Sequence, residues 1–192
     1  IFSLAPGLGN QLFSILINRY FSPQWWGMIV ELQLIQYITT AFVAWGNKEF
    51  LTRQFGQFPN RKYTEWNRSF GVRFFLLLFP SIIMLSLCLP SISFIHVAIW
   101  ITCRYITQSF ESVITYQKKF KLAVYAEIVS ALFISAGIVL MFESITFNSV
   151  LLLITLSNII RALIYLVVFR PWLYPSEWLS ISTNLLKDSS PF

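Results

Sequence analysis

Long apolar stretches separated by short polar gaps dominate this chain. Six stretches can be read, over about 2–21, 26–46, 69–90, 92–113, 121–142 and 147–169. A bilayer core about 30 Å thick is crossed by about 20 helical residues, so each stretch is long enough to span. In lipid every backbone N–H and C=O must be satisfied within its own segment, so such runs form helices. A membrane β-barrel would instead show alternating segments of about 10 residues, and the chain shows none. The pattern predicts an all-α, polytopic membrane protein built as a six-transmembrane-helix bundle.

Within the runs the polar positions are uneven. The first carries Pro6, Gly7 and Gly9, which permit a bend, and is polar at Asn10, Gln11, Asn18 and Arg19. The second carries Glu31, Gln33, Gln36, Thr39 and Thr40, and so is expected to face protein or a hydrated cavity. The third is the most apolar and should face lipid, with a kink at Pro80. The fourth is polar along Thr102, Arg104, Thr107, Gln108 and Glu111. The fifth holds a patch of small residues (Ser130, Ala131, Ser135, Ala136, Gly137) suited to close helix packing. The gap at 47–68 has room for a short interfacial helix. Residues 172–186 read as an amphipathic helix on the membrane surface. We therefore expect a helical lobe over 1–171, then an interfacial linker and the start of a seventh helix over 172–192.

Composition agrees with the pattern. Mean hydropathy is +0.66 and charged residues make up 11%, against roughly 25% in soluble domains. The placement of charge says more. The gaps at 47–68 and 118–121 and the tail carry Lys48, Arg53, Arg61, Lys62, Arg68, Lys118, Lys119, Lys121, Arg170 and Lys187, whereas the gaps near 22–25, 90–91 and 143–146 carry no Lys or Arg. Basic residues beside spans remain on the cytoplasmic side, so both termini are expected inside. The net charge of +6 then reflects loops facing anionic lipid, not a nucleic-acid surface. Cys88 and Cys103 fall at different depths of two helices and are expected to stay unbridged. His96 has no second ligand near it, so no metal or other cofactor is expected. No catalytic set can be assembled, so the chain is not expected to be an enzyme. A chain beginning at Ile1 and ending in what resembles another segment is expected to be part of a longer protein.

Charges inside the apolar runs demand an explanation, since each costs about 2.5–3.5 kcal/mol at the bilayer centre on insertion scales. Arg19 and Glu31 share a level near the outer end and can pair there while snorkelling to the interface. Arg104 and Arg161 fall near mid-membrane with no easy route to water. Guanidinium binds phosphate bidentately and keeps its charge when partly desolvated, so these two suit a cavity for an anionic head group. Glu127 and Glu111 are placed in the inner third, with Arg104 and Glu111 on one helical face. Glu127 suits either an ion pair or a cation-coupling carboxylate. Arg53 and Lys48 anchor the cytoplasmic side, with Arg53 also a candidate for the cavity mouth.

Several segments resemble a known family. The stretch NRYFSPQWWGMIVELQLIQYITTAFVAWGNKEFLTRQF (18–55) is similar to the first two helices of polysaccharide flippases: an Arg-initiated Pro/Gly turn after helix one, then Gly and Arg after helix two. RYITQSFESVITYQKKFKLAVYAEIVSALF (104–133) resembles their helix four to five junction, and LLKDSSPF (185–192) the start of their seventh helix. The matching positions are Arg19, Gly27, Gly46 and Arg53; Trp45 stands where that family often has an acidic residue. These are O-antigen (Wzx-like) flippases of the multidrug/oligosaccharidyl-lipid/polysaccharide exporter superfamily, with two six-helix lobes around a cavity. The resemblance implies the N-terminal lobe of such a transporter in the bacterial inner membrane. It implies flipping of an undecaprenyl-pyrophosphate-linked oligosaccharide for surface polysaccharide biosynthesis, by alternating access coupled to H+ or Na+. Substrate contacts would fall to Arg104, Arg161, Arg19 and Arg53, ion coupling to Glu127 or Glu31, and the partners would be the lipid-linked substrate, membrane lipid and a second lobe. A multidrug exporter of the same superfamily should favour acidic cavity residues instead. A membrane-embedded glycan polymerase or acyltransferase would need longer outer loops than these.

Overall fold

The computed structural model of the chain describes residues 23–141 and 146–178. The first apolar run, Arg19 and residues 179–192 lie outside that range. Helix α1 (Pro23–Ala44) turns at Gly46 into α2 (Asn47–Gln57). A 3-10 turn (Pro59–Arg61) leads to α3 (Lys62–Arg73), which continues through one π-turn (Phe74–Leu78) into α4 (Phe79–Cys88). Helices α5 (Ser91–Ser109), α6 (Glu111–Gln117), α7 (Phe120–Leu140) and α8 (Phe147–Val168) follow. Two further 3-10 turns, Arg170–Trp172 and Pro175–Glu177, close the described chain. No strand occurs among the described residues.

Four helical stretches are long and apolar enough to cross a membrane: Pro23–Gln57, Pro59–Cys88, Phe120–Leu140 and Phe147–Val168. The fourth apolar run falls short of that standard, and its position explains why. Helix α5 is the central helix, packed along α1 on one side and α8 on the other, with α7 beyond α8. Val97, Trp100, Ile101 and Tyr105 are buried there. A helix enclosed by protein tolerates polar side chains that lipid would expel. One of them organises the core: the Thr155 hydroxyl of α8 accepts from Trp100 Nε1 at 2.7 Å and lies 2.7 Å from His96 Nδ1. The outward helices show the converse. No residue of α4 is buried, and Phe79, Met84 and Leu87 stand out of the bundle, as a lipid-facing helix requires.

Helices α7 and α8 meet through small residues. Ser130 and Ser157, both buried, donate to each other's backbone carbonyl at 3.4 Å. Gly137 leaves room for Leu153, which a Cβ there would meet at 2.5 Å. This is the close approach that the small-residue patch predicts. The kink expected at Pro80 takes the form of a π-turn one turn earlier. Proline removes an amide and crowds the carbonyl four residues back, and a wider turn at Phe74–Leu78 relieves both.

Three expectations need correction. The 47–68 gap does hold the expected short helix, but it is almost wholly helical, and Leu51 and Phe55 of α2 are buried by protein. Phe55 packs edge-on to Tyr116 and against Trp172. The fourth run is not one helix: it breaks at Phe110, where α6 begins. The segment after α8 does not begin as a surface helix either. Trp172 is 3% exposed, and the segment is tied down by Asn67 of α3. Asn67 Nδ2 donates to Trp172 O at 2.7 Å and to Tyr63 O at 2.8 Å. Its Oδ1 accepts from Tyr174 N at 2.8 Å and Trp178 Nε1 at 2.9 Å. An amide side chain has two donors and two acceptor sites, so Asn67 is fully used. Gly71, one turn on, is where the Trp178 backbone lies closest, leaving no room for a Cβ.

These contacts gather the basic gaps at one end of the bundle. Trp66 of α3 stacks on Phe70 and Phe110, and Phe110 stacks on Phe169. Trp66 Nε1 donates to Ser109 O at 2.9 Å, and Arg73 Nη1 donates to Val43 O at 2.9 Å and Trp45 O at 3.0 Å, so the C-terminal ends of α5 and α1 are both capped from α3. At the opposite end Trp25 of α1 meets Phe147 of α8. Helices α1, α5 and α8 therefore run in one direction, and the gaps that carry Lys and Arg share a face.

Candidate functional site

A charged cluster sits inside the bundle on α8 and on the two helices packed against it, α5 and α7. Arg161 of α8 and Glu127 of α7 form an ion pair, Nη2 to Oε2, at 2.7 Å. Each side chain is only 19% exposed. Arg104 of α5 lies within electrostatic reach of Arg161, as do Tyr165 of α8 and Tyr37 of α1. Position along each helix explains the meeting. Arg104 is five residues from the end of α5, Arg161 seven from the end of α8, and Glu127 seven from the start of α7. At about 1.5 Å per residue, all three lie roughly 8–10 Å inside the basic end. The expectation that Glu127 sits deeper toward the cytoplasm than Arg161 is thereby corrected: the two share one level.

The cluster is short of acceptors. Among the described residues no carboxylate lies within salt-bridge distance of Arg104, and Glu127 alone pairs with Arg161. The Nε atoms of Arg104 and Arg161 are buried without a hydrogen-bond partner, as is Oε1 of Gln108. Two guanidinium groups against one carboxylate leave one positive charge in excess. Buried polar atoms are almost always bonded in native proteins, and an unpaired charge there is costlier still. An anion supplying oxygens to both arginines would satisfy the two Nε atoms and cancel the excess. Gln108 is one turn beyond Arg104, and the sequence alone flags its polarity. Tyr165 gives no such signal, because a tyrosine in an aromatic-rich helix reads as packing.

The remaining candidates are elsewhere. Glu111 pairs with Lys48 Nζ at 3.5 Å across exposed surface, an arrangement of little energetic weight, and also lies within electrostatic reach of Tyr165. Arg53 is exposed on α2, past the basic end of α1. Glu31 is exposed on α1, eight residues from its start and so nearer the opposite end. Its expected partner Arg19 lies outside the described residues. Gly27 borders open space, and Gly46 adopts φ +67° at the α1–α2 turn. Both cysteines are free, Cys88 exposed and Cys103 buried.

At the basic end a pocket of about 210 Å³ is lined by Tyr63, Thr64, Tyr174 and Ser176. Lys62 lies 5.3 Å from the ring centroids of both Tyr63 and Tyr116.

No protein-family model, no curated protein and no solved structure matches this chain.

Proposed function

We infer that this membrane protein is the N-terminal lobe of a transporter that flips a lipid-linked oligosaccharide, with an undecaprenyl-pyrophosphate carrier, across the bacterial inner membrane. The observation that carries the reading is the excess of guanidinium over carboxylate inside the bundle. Arg161 alone has an acidic partner, Glu127, and the buried Nε atoms of both Arg104 and Arg161 lack acceptors. A cationic drug would be repelled by this site, which argues against the multidrug exporter. A pyrophosphate diester supplies charge and acceptor oxygens together, and the hydroxyls of the attached sugar suit the free Gln108 oxygen. The basic end, where the Lys- and Arg-bearing gaps gather, is the cytoplasmic end in this reading. Alternating access follows from rocking of this lobe against a second one, with H+ or Na+ acting at Glu127 or Glu31. Arg19 would guard the outer side, and Arg53 the cytoplasmic mouth.

The test is made in the full-length protein. Arg104→Gln and Arg161→Gln should each abolish surface polysaccharide while membrane insertion is retained. Normal polysaccharide in both variants overturns the assignment.

A further inference from the structure

The Glu127–Arg161 pair has a second consequence, which rests on the transporter reading for the identity of the ligand but not for the chemistry. Arg161 presents its Nη2 to Glu127 at 2.7 Å while its Nε has no acceptor. The guanidinium thus keeps at least one donor, its Nε, without an acceptor. Its neighbour Arg104 has no carboxylate among the described residues and also keeps a buried, unpartnered Nε. A ligand phosphate entering between the two arginines would seek the same donors that Glu127 holds. Carboxylate and phosphate both suit the guanidinium fork, and two anions drawn to one guanidinium repel each other.

We propose that Glu127 is an internal competitor at an anion site: its carboxylate occupies Arg161 until a phosphate group of the ligand displaces it. The charges give the sense of the coupling. Arg104, Arg161 and Glu127 sum to one positive charge. A pyrophosphate diester brings two negative charges and leaves the filled site one negative. A cation taken up at Glu127 restores neutrality and frees Arg161 at the same time. Ligand anion and cation therefore favour each other's binding, and that favour is reciprocal. The ionisable groups facing the pair are Arg104 and Cys103 from α5, Tyr37 from α1 and Tyr165 on α8. Glu111 of α6 also acts on Tyr165.

The experiment measures binding of inorganic pyrophosphate to the full-length protein in phosphatidylcholine nanodiscs. Glu127→Gln keeps the size and a neutral acceptor but removes the charge, and should bind on the order of tenfold tighter than wild type. Glu127→Asp keeps the charge on a shorter arm and should fall between the two. Arg161→Gln should lose binding, and Glu49→Gln on the exposed face of α2 should match wild type. Equal or weaker binding by Glu127→Gln overturns the proposal, as does failure of every variant to bind. Competition by phosphatidylglycerol added to the nanodiscs would assign the anion site to a bilayer head group and overturn the sugar-linked ligand. The two readings fail separately. Tighter binding by Glu127→Gln with normal surface polysaccharide in Arg104→Gln and Arg161→Gln sinks the transporter alone. Lost polysaccharide with unchanged Glu127→Gln affinity sinks the competitor alone.

Discussion

Replacing Asn67 with alanine should release the segment that follows α8. Asn67 is 0% exposed, and three of its four hydrogen bonds cross to Trp172, Tyr174 and Trp178. A typical intramolecular hydrogen bond contributes about 1 kcal/mol net. Three therefore hold the segment by about 3 kcal/mol. Tyr174 is 49% exposed, so water replaces part of what its amide loses, and about 2–3 kcal/mol is the working figure. That corresponds to roughly a 30- to 150-fold rise in the undocked fraction. Hydrogen exchange of a peptide covering 170–178, followed in detergent, reads this directly, because the Tyr174 amide is held by Asn67 Oδ1. Exchange should accelerate by that order in Asn67→Ala and stay unchanged in Asn60→Ala, which alters an exposed turn residue. Gly71→Ala provides an independent route. Its new Cβ would meet the Trp178 backbone, which cannot swing aside as a side chain can, so the segment must lift. Unchanged protection of 170–178 in both Asn67→Ala and Gly71→Ala would refute the docking argument.

Arg161→Gln alone strands the Glu127 carboxylate and should cost about 3–5 kcal/mol of thermal or denaturant stability, whereas Glu127→Gln/Arg161→Gln should recover most of it; additive losses would show that the pair does not act as a unit. Gly46→Ala forces a side chain to φ +67° and should cost roughly 1 kcal/mol, seen as a lower unfolding midpoint in detergent. Gly137→Ala overpacks the α7–α8 contact and should cost about 1–2 kcal/mol, relieved when Leu153→Ala is added; an unrelieved loss would place the clash elsewhere.

Much of the fold is legible in the hydrophobic pattern. The ranges of α1, α7 and α8 follow from apolar run length, since lipid enforces internal hydrogen bonding regardless of partners. The gathering of Lys48, Lys62, Lys119 and Arg170 near one end follows from alternation along the chain. The break at Phe110 has no such signature. No glycine or proline marks it, and the interruption comes from packing: Phe110 turns in to stack on Trp66 and Phe169. The same holds for 47–68, where the pattern leaves room for a short interfacial helix but does not show that Leu51 and Phe55 have protein to bury against.

For the candidate site, residue type and depth single out Arg104, Arg161 and Glu127, together with Arg19 and Glu31, because charge in an apolar run is costly wherever it falls. By itself the sequence determines that these groups exist inside the bundle and that something must offset them. Only the tertiary structure decides who pairs with whom. Glu127 and Glu111 are equal candidates along the chain, yet antiparallel packing of α7 against α8 brings Glu127 level with Arg161. Glu111 pairs with Lys48 instead. Pairing is a matter of three-dimensional distance, which falls steeply with register and rotation. Neither is written in a hydropathy pattern that repeats every turn of the helix. Asn67 shows the limit most plainly: an asparagine between a tryptophan and an arginine carries no mark that four hydrogen bonds, three of them to residues more than a hundred positions away, will converge on it.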